Sequence, residues 1–139
     1  MLTSAQKRKL ALKAISFFRQ HLFKNNSKLN NLILINLRFK KIDAWGICDH
    51  HDVGIKPREF TILINRDLKE IKDIITTVAH EMVHVWQYAT GKLRDYQTAP
   101  LQRYENDLYD VYMSYRDKPW EIEARQMEKV LYRLWVKNN

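Results

Sequence analysis

Residues 77–87 read Thr-Val-Ala-His-Glu-Met-Val-His-Val-Trp-Gln, a largely apolar stretch that contains two histidines and a glutamate. His80 and His84 are four residues apart, so both imidazoles lie on one face of a helix, with Glu81 beside them. Zinc prefers imidazole nitrogen as a ligand, at about 2.0–2.1 Å. It also lowers the pKa of a bound water molecule, so that a nearby carboxylate can take a proton from this water. The stretch therefore predicts a zinc helix with ligands His80 and His84 and with Glu81 as general acid and base.

The alternative interpretation is a pair of surface histidines on an amphipathic helix. The neighbours of the two histidines argue against it, because they are apolar on several sides of the helix and should bury it. A buried imidazole without a partner is unfavourable, and a bound metal would remove that cost. The apolar neighbours are Val78, Ala79, Met82, Val83, Val85 and Trp86.

A third protein ligand must lie elsewhere, because no histidine follows His84. The candidates are the upstream pair His50–His51 and two acids that open the last predicted helix, Glu121 and Glu123. These two acids are about 200° apart around a helix, so only one of them can face the metal. We favour Glu121, since Ala124 then lies on the same face and allows close helix packing. The alternatives are a helix-dipole role for Glu121 and an exposed polar turn for the histidine pair.

Tyrosines could complete such a site. A phenol near the metal can donate a hydrogen bond to the oxyanion that develops during acyl transfer. Tyr112 and Tyr115 are the candidates, because they immediately precede the helix that carries Glu121. Tyrosines at this spacing also occur as ordinary core or rim residues.

The remaining sequence predicts an α+β fold in one domain, residues 1–139. Apolar residues recur at helical spacing near both ends, and three β-rich runs lie between them. We expect an N-terminal helix, a small, mostly antiparallel three-stranded sheet, the zinc helix and C-terminal helices. The expected bounds are a helix over 4–24 capped by Ser4, strands over 32–39, 44–48 and 60–65, the zinc helix over 68–90 between Asp67 and Gly91, and helices opening at Pro100 and Pro119.

Composition excludes several classes of protein. Hydrophobic residues make up 45% and charged residues 29% of the chain, which differs from the composition of disordered proteins. Polar residues interrupt every apolar run before the roughly 20 residues of a membrane span, and we expect no secretory signal. Cys48 is the single cysteine, which disfavours a cysteine-rich structural zinc site. We expect a cytoplasmic monomer with no membrane partner.

The net charge of +8 comes from one end of the chain. Residues 1–42 contain ten lysines or arginines and no acid, whereas the remainder carries 14 basic and 16 acidic residues. Such a field favours an anionic partner, and Lys7, Arg8, Lys9 and Lys13 could neutralise nucleic-acid phosphates. The alternative function is therefore a nucleic-acid-binding module with a structural or vestigial metal site. Two further interpretations are a solvated helix face and a mitochondrial presequence.

Several segments resemble the SprT-like zincin metallopeptidases. They are residues 44–48 (Ala-Trp-Gly-Ile-Cys), 60–65 (Phe-Thr-Ile-Leu-Ile-Asn), 77–84 and the C-terminal 119–124 (Pro-Trp-Glu-Ile-Glu-Ala). The resemblance is closest to the short members found in bacteriophages, which would place the protein in the host cell cytoplasm. It implies a zincin-like fold, a Zn²⁺ cofactor and hydrolysis of a protein or peptide substrate. Because relatives degrade proteins crosslinked to DNA, it also implies DNA-associated substrates.

The sequence departs from this family at the third ligand. SprT-like domains use a further histidine, whereas the spacing from Glu121 to Ala124 is similar to the third-ligand helix of gluzincins. Arg125 stands where several gluzincins place an acid that supports a ligand histidine. The resemblance thus implies the roles of residues 80, 81 and 84 but leaves the residues that support the ligands unassigned.

Overall fold

The computed structural model describes residues 1–52 and 56–139, in which four helices pack with two small sheets. The α+β class and the N-terminal helix are confirmed. A single 3-10 turn, Tyr115–Asp117, precedes the last helix. The elements are α1 (Ser4–Leu22), α2 (Ser27–Leu32), β1 (Leu34–Lys40), β2 (Gly46–His50), β3 (Glu59–Asn65), α3 (Ile71–Ala89), β4 (Leu93–Asp95), β5 (Leu101–Tyr104), β6 (Asp107–Asp110) and α4 (Pro119–Asn138).

The first sheet is mixed, so the prediction of a mostly antiparallel sheet is wrong. Its order is β1-β3-β2: β1 runs parallel to β3, whereas β2 runs antiparallel to it. The prediction assumed that strands adjacent in sequence are neighbours in the sheet. Because β3 instead inserts between β1 and β2, the first and third strands run in the same direction.

Helix α3 lies at the centre of the core and packs against α1, α4 and the first sheet. Thirteen of its 19 residues are buried, which fixes its position on several sides. The inward residues of β3, namely Phe60, Ile62 and Ile64, are completely buried. Helix α3 ends where the sequence predicts, since Gly91 follows it with φ of 81°. His80, Glu81 and His84 therefore lie on a helix that the core holds on several sides.

The predicted helix starts need small corrections. Thr3, and not Ser4, caps α1: its hydroxyl accepts from the amide of Gln6, whose side chain accepts from the amide of Thr3 in return. Helix α3 begins at Ile71, three residues later than predicted. Asp67 instead lies in a turn in which its amide donates to the side chain of Asn65.

The helix predicted to open at Pro100 is wrong, because this segment forms the β5–β6 hairpin. Strand β5 pairs antiparallel with both β4 and β6 and completes a second three-stranded sheet. The four-residue spacing of Tyr104 and Leu108 is compatible with a helix, but the chain reverses between them, so Tyr104 lies in β5 and Leu108 in β6. Glu105 turns the chain with φ of 56°. Tyr104 and Tyr109 then both contact Trp120 of α4.

Within residues 1–52 and 56–139, no helix combines the length and the apolar composition needed to cross a bilayer.

Candidate metal centre

Three potential ligands converge where α3 meets α4. Nε2 of His80 lies 2.9 Å from Oε1 of Glu121, and Nε2 of His84 lies 3.1 Å from Oε2 of the same carboxylate. One ligand atom from each residue lies within 4.8 Å of the others. The side chains are only 9–13% exposed. The helix spacing of the two histidines and the first turn of α4 thus place the three groups around one point.

This donor set fits a metal ion. Two imidazoles and one carboxylate are a common ligand set for catalytic zinc, which leaves one coordination position for water or substrate. Ligand atoms bound tetrahedrally at about 2.0–2.1 Å are about 3.3 Å apart. The contacts of Glu121 with the two histidines, at 2.9 and 3.1 Å, are within a few tenths of an ångström of this value. His80, His84 and Glu121 could therefore bind a metal ion.

Each histidine is oriented by a second polar partner. Nδ1 of His80 lies 2.9 Å from Oε1 of Glu128, and Nδ1 of His84 lies 2.7 Å from Oε1 of Gln87. Both partners are oxygen acceptors, so each Nδ1 donates and Nε2 faces the cluster. The sequence interpretation missed both residues. Glu128 follows Glu121 by seven residues, two helical turns, and this spacing is the signal that could have revealed it.

The other candidates for the third ligand lie outside the cluster. Glu123 accepts from Nε2 of Gln87 at 2.9 Å and forms an ion pair with Lys92. Nε2 of His50 lies 2.9 Å from Asp95, and His51 contacts the Thr61 hydroxyl. The two acids of α4 point to different sides, as the helical geometry requires, and Glu121 is the one beside the histidines.

The cluster holds opposite charges in contact. Burial disfavours the imidazolium of His80, but hydrogen bonds with Glu121 and Glu128 outweigh this effect and raise the pKa of His80 to about 10. Although burial favours the neutral acid, contacts with both histidines hold the pKa of Glu121 well below its usual range. A metal ligand must be neutral histidine or ionised carboxylate. Protons and a metal cation therefore compete for the two imidazoles.

Glu81 lies beside the cluster in a cleft. Its carboxyl is buried, and burial raises its pKa despite the opposing influence of the two histidines. Two cavities of about 250 and 340 Å³ meet there. Their shared lining residues are Ala44, Gly46, Glu81 and Tyr115. The carboxylate for which the sequence predicts proton transfer therefore forms part of the wall of this cleft.

Gly46 is a further residue whose role the sequence interpretation missed. A Cβ atom at this position would lie 2.6 Å from the Thr77 methyl group and 3.1 Å from Oε2 of Glu81. No side chain fits that gap without displacement. Glycine thus allows strand β2 to approach α3 closely beside Glu81.

The two tyrosine candidates are placed differently. Tyr115 lines both cavities of the cleft. Its pKa is raised, mainly by partial burial and to a smaller extent by the nearby Glu121. Tyr112 is 82% exposed and lines a separate hollow formed with residues 95–102. Only Tyr115 stands near the cluster.

The basic residues proposed for nucleic acid do not form a comparable cluster. Lys7 donates to the carbonyl of Arg66 at 3.0 Å, and Arg8 donates to that of Leu37 at 2.9 Å. The ammonium of Lys13 lies 5.6 Å from the centre of the Trp135 ring. Lys9 is exposed. Three of these four cations therefore already contact other parts of the protein.

Comparisons with known proteins give no further assignment. No family model matches the chain, and no curated protein and no solved structure is significantly similar to it. The residues of the cluster and their geometry are therefore the basis for inferring a function.

Proposed function

We propose that the protein is a zinc-dependent metallopeptidase of the SprT-like zincin type. The observation that carries the proposal is the convergence of His80, His84 and Glu121 at a cleft, with Glu81 beside them. Mixed nitrogen and oxygen ligands favour zinc over calcium and magnesium, which prefer oxygen-only sites. With three protein ligands, the metal would keep one coordination position for water or substrate.

Glu81 would move the proton during hydrolysis. Bound zinc would supply Lewis acidity, which polarises the scissile carbonyl and lowers the pKa of water. Glu81 takes a proton from the attacking water, whose oxygen bonds to the carbonyl carbon. As the carbon–nitrogen bond breaks, Glu81 returns this proton to the leaving amine. A buried carboxyl with a raised pKa suits both steps, because it holds a proton near neutral pH more readily than an exposed acid.

Tyr115 is positioned to assist. Its side chain lines both cavities together with Glu81, and one of these cavities is also lined by Glu121. A phenol here could donate to the oxyanion that develops on the carbonyl. Tyr112 is too far out on the surface for this role and is not part of the proposal.

An extended peptide would fit the cleft along strand β2. This strand lies at the edge of the first sheet and pairs only with β3 among the described residues. An exposed edge can bind a peptide by main-chain hydrogen bonds. Gly46 lies at its start beside Glu81, and the adjacent Trp45, which is 56% exposed, lines one cavity. A peptide paired with this edge would pass beside the metal centre.

Nucleic acid binding is a second candidate function, favoured by the charge of the first 42 residues. The outer face of the first sheet carries a hollow of about 760 Å³ that Arg8, Arg38 and Lys40 help to line, although Asp49 and Glu59 also line it. Binding there would bring DNA-associated proteins to the cleft. The two functions are compatible, and each can be tested separately.

The test of the peptidase compares wild type with Glu81→Gln. We expect both chains to purify with about one zinc ion, because residue 81 is not a ligand. Hydrolysis of an unfolded protein substrate should fall by about 10²–10⁴-fold in the variant, since an amide cannot accept the proton. Proteolysis at the wild-type rate in Glu81→Gln, or a wild type without bound zinc, would contradict the proposal.

A further inference from the structure

The side-chain amide of Gln87 has one allowed orientation. Gln87 is completely buried, and its Nε2 lies 3.0 Å from the carbonyl oxygen of Trp120 and 2.9 Å from Oε1 of Glu123. Both of these oxygens can only accept hydrogen bonds, so the amide nitrogen must face them. The amide oxygen must then face His84, whose Nδ1 lies at 2.7 Å.

This orientation determines which nitrogen of His84 is available. Nδ1 donates to the Gln87 oxygen, so Nε2 is the nitrogen that can present a lone pair. Nε2 is also the atom that faces Glu121. We propose that Glu123 is a positioning residue of the metal centre, which acts through Gln87 to keep Nε2 of His84 available for zinc. This inference rests on the proposed zinc site.

Glu123 is suited to the task because it has two acceptor oxygens. Oε1 accepts from Gln87, while Oε2 pairs with the ammonium of Lys92. Lys92 is held in turn against the rings of Trp86 and Tyr104, at 5.1 and 5.4 Å from their centres. These two donors approach different oxygens, and an amide at position 123 would replace one of them with an NH₂ group, which donates and cannot accept. The contacts thus form a chain from the second sheet to the metal ligand.

The test measures zinc affinity in Glu123→Met, by competition with a chromophoric chelator. Methionine has a similar length but cannot accept the Gln87 hydrogen bond as a carboxylate does. We expect zinc binding to weaken about 10-fold, the lower end of the loss typical when a partner of a ligand histidine is changed. The matched control is Glu105→Gln, which removes the other acid near Lys92, at 3.6 Å, without affecting Gln87. This control should bind zinc as wild type does.

A second pair of variants separates positioning from packing. Both carry Lys92→Met, and they differ in having Glu123→Gln or Glu123→Met. Without the lysine, the amide oxygen introduced by Glu123→Gln is free to accept from Gln87, so this variant should recover most of the zinc affinity. The unfolding temperatures of the metal-free chains show whether stability changes in parallel. This pair also provides the comparison if Glu123→Met alone does not fold.

The outcomes distinguish this inference from the proposed function. A wild type that binds no zinc would contradict the metal centre itself. Zinc binding by wild type together with unchanged affinity in Glu123→Met would contradict only the positioning role. Equal affinities in the Lys92→Met pair would contradict it too, because acceptor capacity at position 123 would then not matter.

Discussion

The metal cluster between α3 and α4 and the basic N-terminal third both concentrate ionisable residues, but they are built differently. In the cluster, His84 and Glu121 are buried, His80 is partly buried, and the three converge on one point from two helices. In the N-terminal third, ten cations are spread over α1, α2, β1 and their connections. Lys7 and Arg8 donate to carbonyl groups of the protein itself.

The difference shows why the two regions carry unequal weight as functional evidence. Burying a charged or polar group is unfavourable unless it is paired, so a buried convergent set is retained only with compensating interactions. Exposed lysines remain hydrated and are tolerated almost anywhere on a surface. Geometry therefore supports the metal site strongly, whereas charge alone supports the nucleic-acid surface weakly.

Among the variants that test this contrast between the two regions, Glu121→Ala should lose the most activity. Removing one of three ligands should abolish stoichiometric zinc binding and with it the hydrolysis of a protein substrate, because two imidazoles alone hold zinc weakly. Zinc content after purification without added metal measures it. Gln126→Ala, an exposed change on the same helix, should keep its zinc. Full zinc content in Glu121→Ala would show that the convergence is not a metal centre.

The next effect concerns the close approach of β2. In Gly46→Ala, the new methyl group would meet the Thr77 methyl at 2.6 Å and force the strand away from Glu81. We expect hydrolysis to fall about 10²-fold, a loss typical of a misplacement of about 1 Å, while zinc content stays unchanged. Steady-state rates and zinc content measure this.

A second substitution sharpens the test of this approach. Thr77→Ser removes the methyl group but keeps the hydroxyl that donates to the carbonyl of Asp73. Added to Gly46→Ala, it should recover part of the activity. Unchanged rates of hydrolysis in Gly46→Ala would mean that the close approach of β2 to α3 is not needed for activity.

A smaller effect is expected from Glu128→Ala. The change removes the acceptor for Nδ1 of His80 and should weaken zinc binding about 10-fold, measured by chelator competition. Glu128→Gln should retain most of the affinity, because its amide oxygen can still accept. If alanine and glutamine bind zinc equally well, Glu128 does not orient His80.

The smallest effect is expected in the basic region. Changing Lys7, Arg8, Lys9 and Lys13 together to alanine should weaken binding to short DNA duplexes a few-fold and reduce its salt dependence, as fewer phosphates are neutralised. Fluorescence anisotropy across a salt series measures both. The control changes three exposed basic residues of α4 to alanine, namely Lys129, Arg133 and Lys137. If the N-terminal variant binds DNA with unchanged affinity and salt dependence, these four residues form only a solvated surface.

Local patterns in the sequence were sufficient for much of the fold. The periodicity of apolar residues predicts α1 and α3 to within a few residues, and α4 at its start, because a helix repeats over neighbouring positions. Pro119 and Gly91 marked helix ends for the same local reason. The three strands of the first sheet were also found, since β-rich runs are local. Their directions were not, because pairing joins distant parts of the chain.

Helix geometry, at 3.6 residues per turn, already places His80 and His84 on one face with Glu81 beside them, so this part of the site follows from local sequence. The same geometry shows that Glu121 and Glu123 point to different sides of α4, so only one of them can be a ligand. The folded chain was needed to show that Glu121 meets both histidines and that Glu128 contacts His80. These contacts join segments that are far apart in the chain, which local periodicity does not encode.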